Sequence, residues 1–249
     1  MDERRGGEEC MDIMTNFFKV TKEQIGEEAT VLFEYALDLA PYLGKFLQAR
    51  KIWRAEKRIK EHSKQLKEIQ KLYSSEILSR DFIQERVGPI FLADFIEEHE
   101  DAKIVYILNG VENIFINNNT DESLIIYYYD TLRELRYEDI RKLYYYSAIT
   151  DDPYSNITLN SPRAALSQQI YIKLEKLYLI KSAKTYNALQ HGPEMLSEED
   201  RRVELTDYGK EFIKFISKDF DIEKYEDKIR KYEVAESERI TRNVKASFG

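Results

Sequence analysis

The chain is short of cysteine, histidine, glycine and proline, and each shortage closes off a class of protein. A lone Cys10 excludes any disulfide within the chain and any thiolate metal cluster. Three scattered histidines, His62, His99 and His191, leave little for a zinc site. Nine Gly and five Pro argue against long Gly-rich phosphate loops and against sandwich folds built from many tight turns. An uncharged apolar run is also missing. The greasiest stretch, Ala29 to Leu47, is broken by Glu34, Asp38 and Lys45. A membrane-spanning helix needs about 20 mostly apolar residues, and each ionised side chain at mid-bilayer costs roughly 3 kcal/mol. The opening Met1–Cys10 is polar and carries no apolar core of a secretory signal. The expectation is a soluble, cytoplasmic protein, in which the sequons at Asn118 and Asn156 carry no weight.

What is present is enough to build a core. Of 249 residues 43% are hydrophobic and 34% charged, with 38 Lys and Arg against 46 Asp and Glu, for a net charge of −8. That content excludes disorder over the whole chain and fits one large domain or two small ones. Thr21 with Gln24 forms a capping box ahead of a run in which Glu27, Thr30, Glu34, Asp38, Pro41, Lys45 and Gln48 recur every three or four residues. The pattern predicts a helix buried on most sides and broken near Pro41. The sharper alternative is an amphipathic segment, 29–47, that meets a bilayer or a partner.

Lys45 to Lys71 differs in kind. Ten bases against three acids give it a net charge of +7 and leave −15 on the remainder of the chain. Ile52, Ile59, Leu66 and Tyr73 repeat every seven residues, with Ala55 and Ile69 between them, although His62 and Glu76 spoil the heptad. The spacing predicts one long basic helix packed along that seam. Ile52, Ile59, Leu66 and Ile69 are therefore the expected oligomer seam. Arg50, Lys51, Arg54, Lys57, Arg58, Lys60 and Lys64 are candidate contacts for phosphates, an anionic surface or the acidic part of a second copy.

Three further helices are expected between Ser79 and Ala148. One opens at Asp81 with Pro89 as a kink or boundary, one begins at Glu100, and one is capped by Thr120 after the Asn117-Asn118-Asn119 turn. Tyr127-Tyr128-Tyr129 and Tyr144-Tyr145-Tyr146 could stack on bases, but three adjacent tyrosines point three ways on a helix, so packing is their default use.

The last 110 residues follow a definite order. Tyr137 to Ala148 reads as a helix, and Ser161-Pro162 starts a second one through Leu177. Extended pieces follow at Lys181–Asn187 and Arg201–Leu205, and Thr206 caps a closing helix to Ile216. Helix, helix, β-hairpin, helix is the order of a winged helix. The pairing of Leu177-Tyr178-Leu179-Ile180 with Leu205-Thr206-Asp207-Tyr208-Gly209-Lys210-Glu211-Phe212 resembles many prokaryotic winged-helix modules. A DNA reader would be basic there, because phosphate contacts supply most of the affinity. Arg163 to Thr206 instead holds seven bases against six acids, with Glu198-Glu199-Asp200 on the wing. Arg163, Gln168, Gln169, Lys173, Lys184, Arg201 and Arg202 are the candidate DNA or partner contacts, and an acidic module fits protein docking better. The tail beyond Ser217 reads as a charged helix, either docked or frayed.

No reaction is announced. Carboxylate pairs such as Glu97-Glu98 and Asp151-Asp152 are expected in so acidic a chain. A nucleophile elbow, a phosphate loop and an HExxH motif are all absent, so neither catalytic nor metal residues nor a cofactor are assigned, and a non-enzyme is expected. With Val87-Gly88-Pro89-Ile90 and Glu100-Asp101-Ala102-Lys103 in the middle and the Leu205–Phe212 ending, residues 20–217 resemble bacterial abortive-infection alpha (Abi-alpha) type proteins. The resemblance implies a prokaryotic or phage origin and a role in phage defence through binding, and it brings no catalytic residues.

The expected fold is mainly α. A polar leader (1–20) precedes a helical domain (21–136) with its long basic helix. A winged-helix-like module (137–217) with a small β-hairpin and a charged tail helix (218–249) follow. The expected function is a non-enzymatic interaction or effector protein that binds another protein or itself as a homo-oligomer. The alternatives are a DNA-binding regulator, which the charge does not favour, and a membrane-acting effector that uses 29–47.

Overall fold

A computed structural model describes residues 19, 21–24, 26, 45–75, 78–155, 158, 160–183 and 202–247. Two compact units divide the chain, Met1–Arg136 and Tyr137–Gly249. The architecture is mainly helical, with one two-stranded antiparallel sheet. Most of the apolar segment 29–47 lies outside the described residues.

In the first unit the basic stretch forms α1 (Lys45–Glu61) and α2 (Ser63–Ser74). His62 interrupts them with φ −107° and ψ 18°. Its N–H still donates to Arg58 O, and its carbonyl accepts from Leu66 N, so the two helices nearly continue one another. Ile52, Ala55, Ile59, Leu66, Ile69 and Tyr73 are all buried. The seam is thus consumed by packing inside its own unit, where α1 meets α3 (Gly88–Glu97) and α2 meets α4 (Ile104–Ile116). It offers no open apolar face to a second copy, which corrects its expected role as an oligomer seam.

Pro89 does not stop its helix. A helical turn at Arg80–Phe82 widens into a π stretch at Ile83–Val87, and Gly88 donates to Ile83 O across five residues before α3 continues. The wider turn absorbs the proline ring and its missing N–H. A 3₁₀ turn at Asp101–Lys103 leads into α4. Apolar residues surround α4 nearly all round, and it is buried accordingly at Ile104, Ile107, Leu108, Val111, Ile114 and Phe115. It ends in an Asn turn in which Asn118 is left-handed (φ 48°) and Asn119 N donates to Ile114 O. The cap of α5 (Glu122–Glu134) is Asp121, one residue past the expected Thr120. Its carboxylate accepts from Leu124 N at 3.0 Å.

The second unit runs α6 (Tyr137–Tyr146), α7 (Pro162–Lys176), β1 (Ile180–Ala183), β2 (Arg202–Leu205), α8 (Asp207–Ile216) and α9 (Ile222–Ser247). Ser161 caps α7 through Ala164 N, and Thr206 caps α8 through Gly209 N. Strand register pairs Ile180 with Leu205 and Ala183 with Arg202. The core gathers Ile140, Leu143, Ile170, Leu174, Leu179, Leu205, Phe212 and Ile213.

Candidate interaction surfaces

The basic helices are far less open than their composition suggests. Arg58, expected as a partner contact, is 0% exposed. Its guanidinium caps the C-terminus of α3. Nη1 donates to Phe95 O at 2.6 Å, Nη2 to Glu98 O at 2.6 Å, and Nη2 and Nε to Asp101 Oδ1 at 2.7 and 3.0 Å. A helix end leaves carbonyls unpaired and carries partial negative charge, and the rigid fork of arginine satisfies both. Burial pulls the Arg58 pKa below its ordinary value even with Asp101 beside it. That anchoring role corrects the expected one.

Its neighbours are compensated in the same way. Lys51 pairs with Glu97, Arg54 donates to Glu98 O at 3.1 Å, Lys57 reaches Asp101 and Glu61, and Lys60 pairs with Glu56. Lys64 is exposed, and Arg50 lies on α1 without a described side chain. Trp53, the single tryptophan, is 65% exposed on this helix. A hollow of about 590 Å³ beside α2 is lined by Lys22, Gly26, Lys67, Gln70 and Lys71, with Lys71 ion-paired to Glu68.

Around the end of α3 lies a charged cluster that the sequence did not signal. Glu98 Oε1 accepts from His99 N and Glu100 N, and Oε2 meets the buried Lys103 at 2.5 Å. Burial works against the Glu98 anion, but these bonds hold its pKa below the usual carboxylate value. The Arg58 guanidinium does the same for Asp101. Asp94 behaves in the opposite way. Arg133 Nε donates to its Oδ1 at 2.5 Å, but Oδ2 is buried without a hydrogen-bond partner, and burial pushes the carboxyl up to about 6. Among the described residues no group of His, Cys, Asp and Glu is arranged to hold a metal ion. The cluster ties α1, α3 and the Asp101–Lys103 turn together.

In the second unit the tyrosine run serves cations of the chain itself. The buried Lys142 ammonium meets Asp152 at 3.1 Å and lies 5.1, 5.5 and 5.3 Å from the rings of Tyr145, Tyr146 and Tyr154. Lys228 donates to Tyr145 O at 3.0 Å and stands 4.8 Å from the same ring. Periodicity held a clue, because Lys142 falls three residues after the buried Asp139 and four before the buried Tyr146.

The candidate contacts on α7 separate into two sets. Lys173 reaches back to the buried Asp139 at 2.6 Å and ties α7 to α6. Gln168 is half-buried, while Arg163 and Gln169 are exposed. Lys184 and Arg201 lie outside the described residues, and Arg202 begins β2. Composition alone missed the outward ridge of α7, which is formed by Ala165, Gln169, Ile172 and Lys176 at successive turns with Leu166 on its flank. Leu166 and Ile172 are 45% and 46% exposed, and Tyr178, just past the helix, is 75% exposed. Tyr178 is also left-handed, with φ 57°. A bulky residue there is strained by roughly 1–2 kcal/mol. Comparison with protein-family models, curated proteins and solved structures finds no match for the chain.

Proposed function

We propose that this chain is a non-enzymatic interaction protein that docks a protein partner on the outward ridge of α7, and that it acts in phage–host conflict. One observation carries the reading. The second helix of the C-terminal unit turns Leu166 and Ile172 outward, with Gln169 between them and Tyr178 just past its end, flanked by the exposed Arg163 and Lys176. Exposed aromatic and aliphatic groups beside few charges are the chemistry of a protein interface core. The helix, helix, two-stranded sheet, helix order supports a winged-helix reading of this unit, used for docking rather than for groove recognition. The setting in phage defence rests on the Abi-alpha resemblance of the sequence.

The test has two arms. In a bacterial host challenged with a phage panel, the intact chain is expected to lower plaque counts. The double variant Leu166→Lys, Ile172→Lys should lose that protection while keeping its helical circular dichroism. Protection that survives the double variant overturns the docking ridge. The second arm is fluorescence anisotropy with labelled duplex DNA. Little binding is expected at 50 mM salt, and tight binding that falls steeply toward 200 mM salt overturns the protein-docking reading in favour of a regulator.

A further inference from the structure

The basic stretch keeps an outward ladder beyond the bases spent on α3. Lys57, Lys60, Lys64, Lys67 and Lys71 are all exposed and follow one another at steps of three or four residues, on the side away from the buried Ile52, Ile59, Leu66 and Tyr73. At 1.5 Å per residue the ladder runs about 21 Å. Its first rungs are answered, Lys57 by Glu61 and Asp101 and Lys60 by Glu56. Lys64 and Lys67 meet no carboxylate among the described residues.

The ladder ends at the hollow of about 590 Å³ beside α2. Lys67 and Lys71 line it from α2, and Lys22 lines it from the helical residues 21–24. Gln70, between the two α2 lysines, and Gln24 add side-chain amides. Gly26 sets how closely these two pieces of chain approach. Its N–H donates to Lys22 O at 3.0 Å, its φ of 93° suits glycine, and a Cβ there would stand 2.8 Å from Gln70 Nε2. The Gln70 amide is thereby held against the turn, in the wall of the hollow.

Charge and polarity select the occupant. Glu23 is the one acid in the lining among the described residues, against three ammonium groups. Glu68 holds Lys71 at 2.9 Å, but an exposed pair of this kind is a weak competitor for the ammonium. The volume falls in the range of small-molecule sites, about 300–1,000 Å³. Among the described residues no aromatic or branched apolar side chain lines it, so it offers nothing to an apolar body. Ammonium and amide N–H groups suit an oxygen-rich anion, and point charges spread over two elements suit one that carries more than one phosphate.

We infer that the hollow between residues 21–24 and α2 binds a small, multiply phosphorylated ligand. Lys22, Lys67 and Lys71 hold its phosphates, Gln70 donates to its oxygens, and the lysine ladder draws it in. The site is separate from the ridge on α7 and does not depend on it.

Isothermal titration calorimetry of the full chain with inorganic tripolyphosphate tests it. One site per chain is expected, with an affinity that falls as salt rises from 50 to 500 mM. Lys22→Ala and Lys67→Ala should each weaken binding at least fivefold. Gln70→Glu, which sets a carboxylate of the same size in the wall, should weaken it at least tenfold with unchanged helical circular dichroism. The pair Lys57→Ala, Lys60→Ala lies on the ladder but outside the hollow, and should stay within about threefold of the native chain. No binding at millimolar tripolyphosphate, an equal loss from the Lys57 and Lys60 pair, or equal binding of citrate, whose charge sits on carboxylates, overturns the inference. Sedimentation with vesicles of phosphatidylcholine and phosphatidylinositol bisphosphate names the source. A chain that binds tripolyphosphate and sediments with the vesicles takes the phosphates of a lipid headgroup. One that binds tripolyphosphate and stays in solution takes those of a soluble compound.

Discussion

At the residue scale the first unit is organised by charges placed where apolar groups would be expected. Arg58 shows why composition misled. In a run of ten bases every Lys and Arg reads alike, yet this one lies three residues after the buried Ala55 and four before the half-buried His62. Periodicity marked it as inward, whereas charge marked it as outward. The carbonyls of Phe95 and Glu98 decided the matter, because an arginine with five satisfied donors can be buried and a lysine cannot match that fork. Asp94 yields a prediction. Its folded pKa of about 6 exceeds the ordinary 3.8, so it binds its proton more tightly in the fold than in the unfolded chain. The stability it adds is present below about pH 3.8 and is lost as pH rises through 6. Asp94→Asn has no proton to lose. The stability of the native chain relative to this variant should therefore drop by up to about 3 kcal/mol between pH 4 and 6.5 and stay level above. Thermal unfolding across that range checks it, and a difference that does not change with pH overturns it. Glu98 and Asp101, shifted the other way, are common to both proteins and cancel.

At the element scale, short-range chemistry was readable and long-range chemistry was not. Ser161 and Thr206 cap the helices they were expected to cap, because a cap needs only its own hydroxyl and an N–H three residues on. Thr120 lost to Asp121 because a carboxylate one residue later does the same work with a full charge. The π stretch ahead of Pro89 had no sequence signal, since it depends on how α3 seats against α1, α4 and α5. The sequence Leu205-Thr206-Asp207-Tyr208-Gly209 has a physical basis that only the structure reveals. A Cβ on Gly209 would stand 1.9 Å from Leu179 O. Thr206 N donates to that same carbonyl at 3.1 Å, and the Thr206 hydroxyl bonds Tyr178 O. Gly209→Ala should therefore cost about 2 kcal/mol or more, because the obstacle is backbone. Tyr178→Gly removes a left-handed non-glycine residue and should leave the melting temperature unchanged or higher. A pair of thermal melts separates the two outcomes.

At the scale of the whole molecule, the charge segregation of the sequence turns inward. From outside the +7 stretch, Glu97 and Asp101 of its own unit answer Lys51, Lys57 and Arg58, while the exposed Lys64 and Lys67 keep part of its positive charge on the surface. Among the described residues the chain also turns Leu166 and Ile172 of α7 outward. The mainly α architecture was legible from periodicity, and the division of surfaces was not, because exposure depends on which faces the neighbouring helices cover. One local arrangement has a consequence for the stability of the second unit. The bonds that anchor its strand pair, at Leu179, Tyr178, Leu205 and Thr206, gather at the end where β1 follows α7 and β2 leads into α8. One hydroxyl there fastens two elements at once, since Thr206 both caps α8 and donates to Tyr178 O. Thr206→Val should therefore lower stability by roughly 1–2 kcal/mol in a thermal melt and loosen the sheet together with the helix.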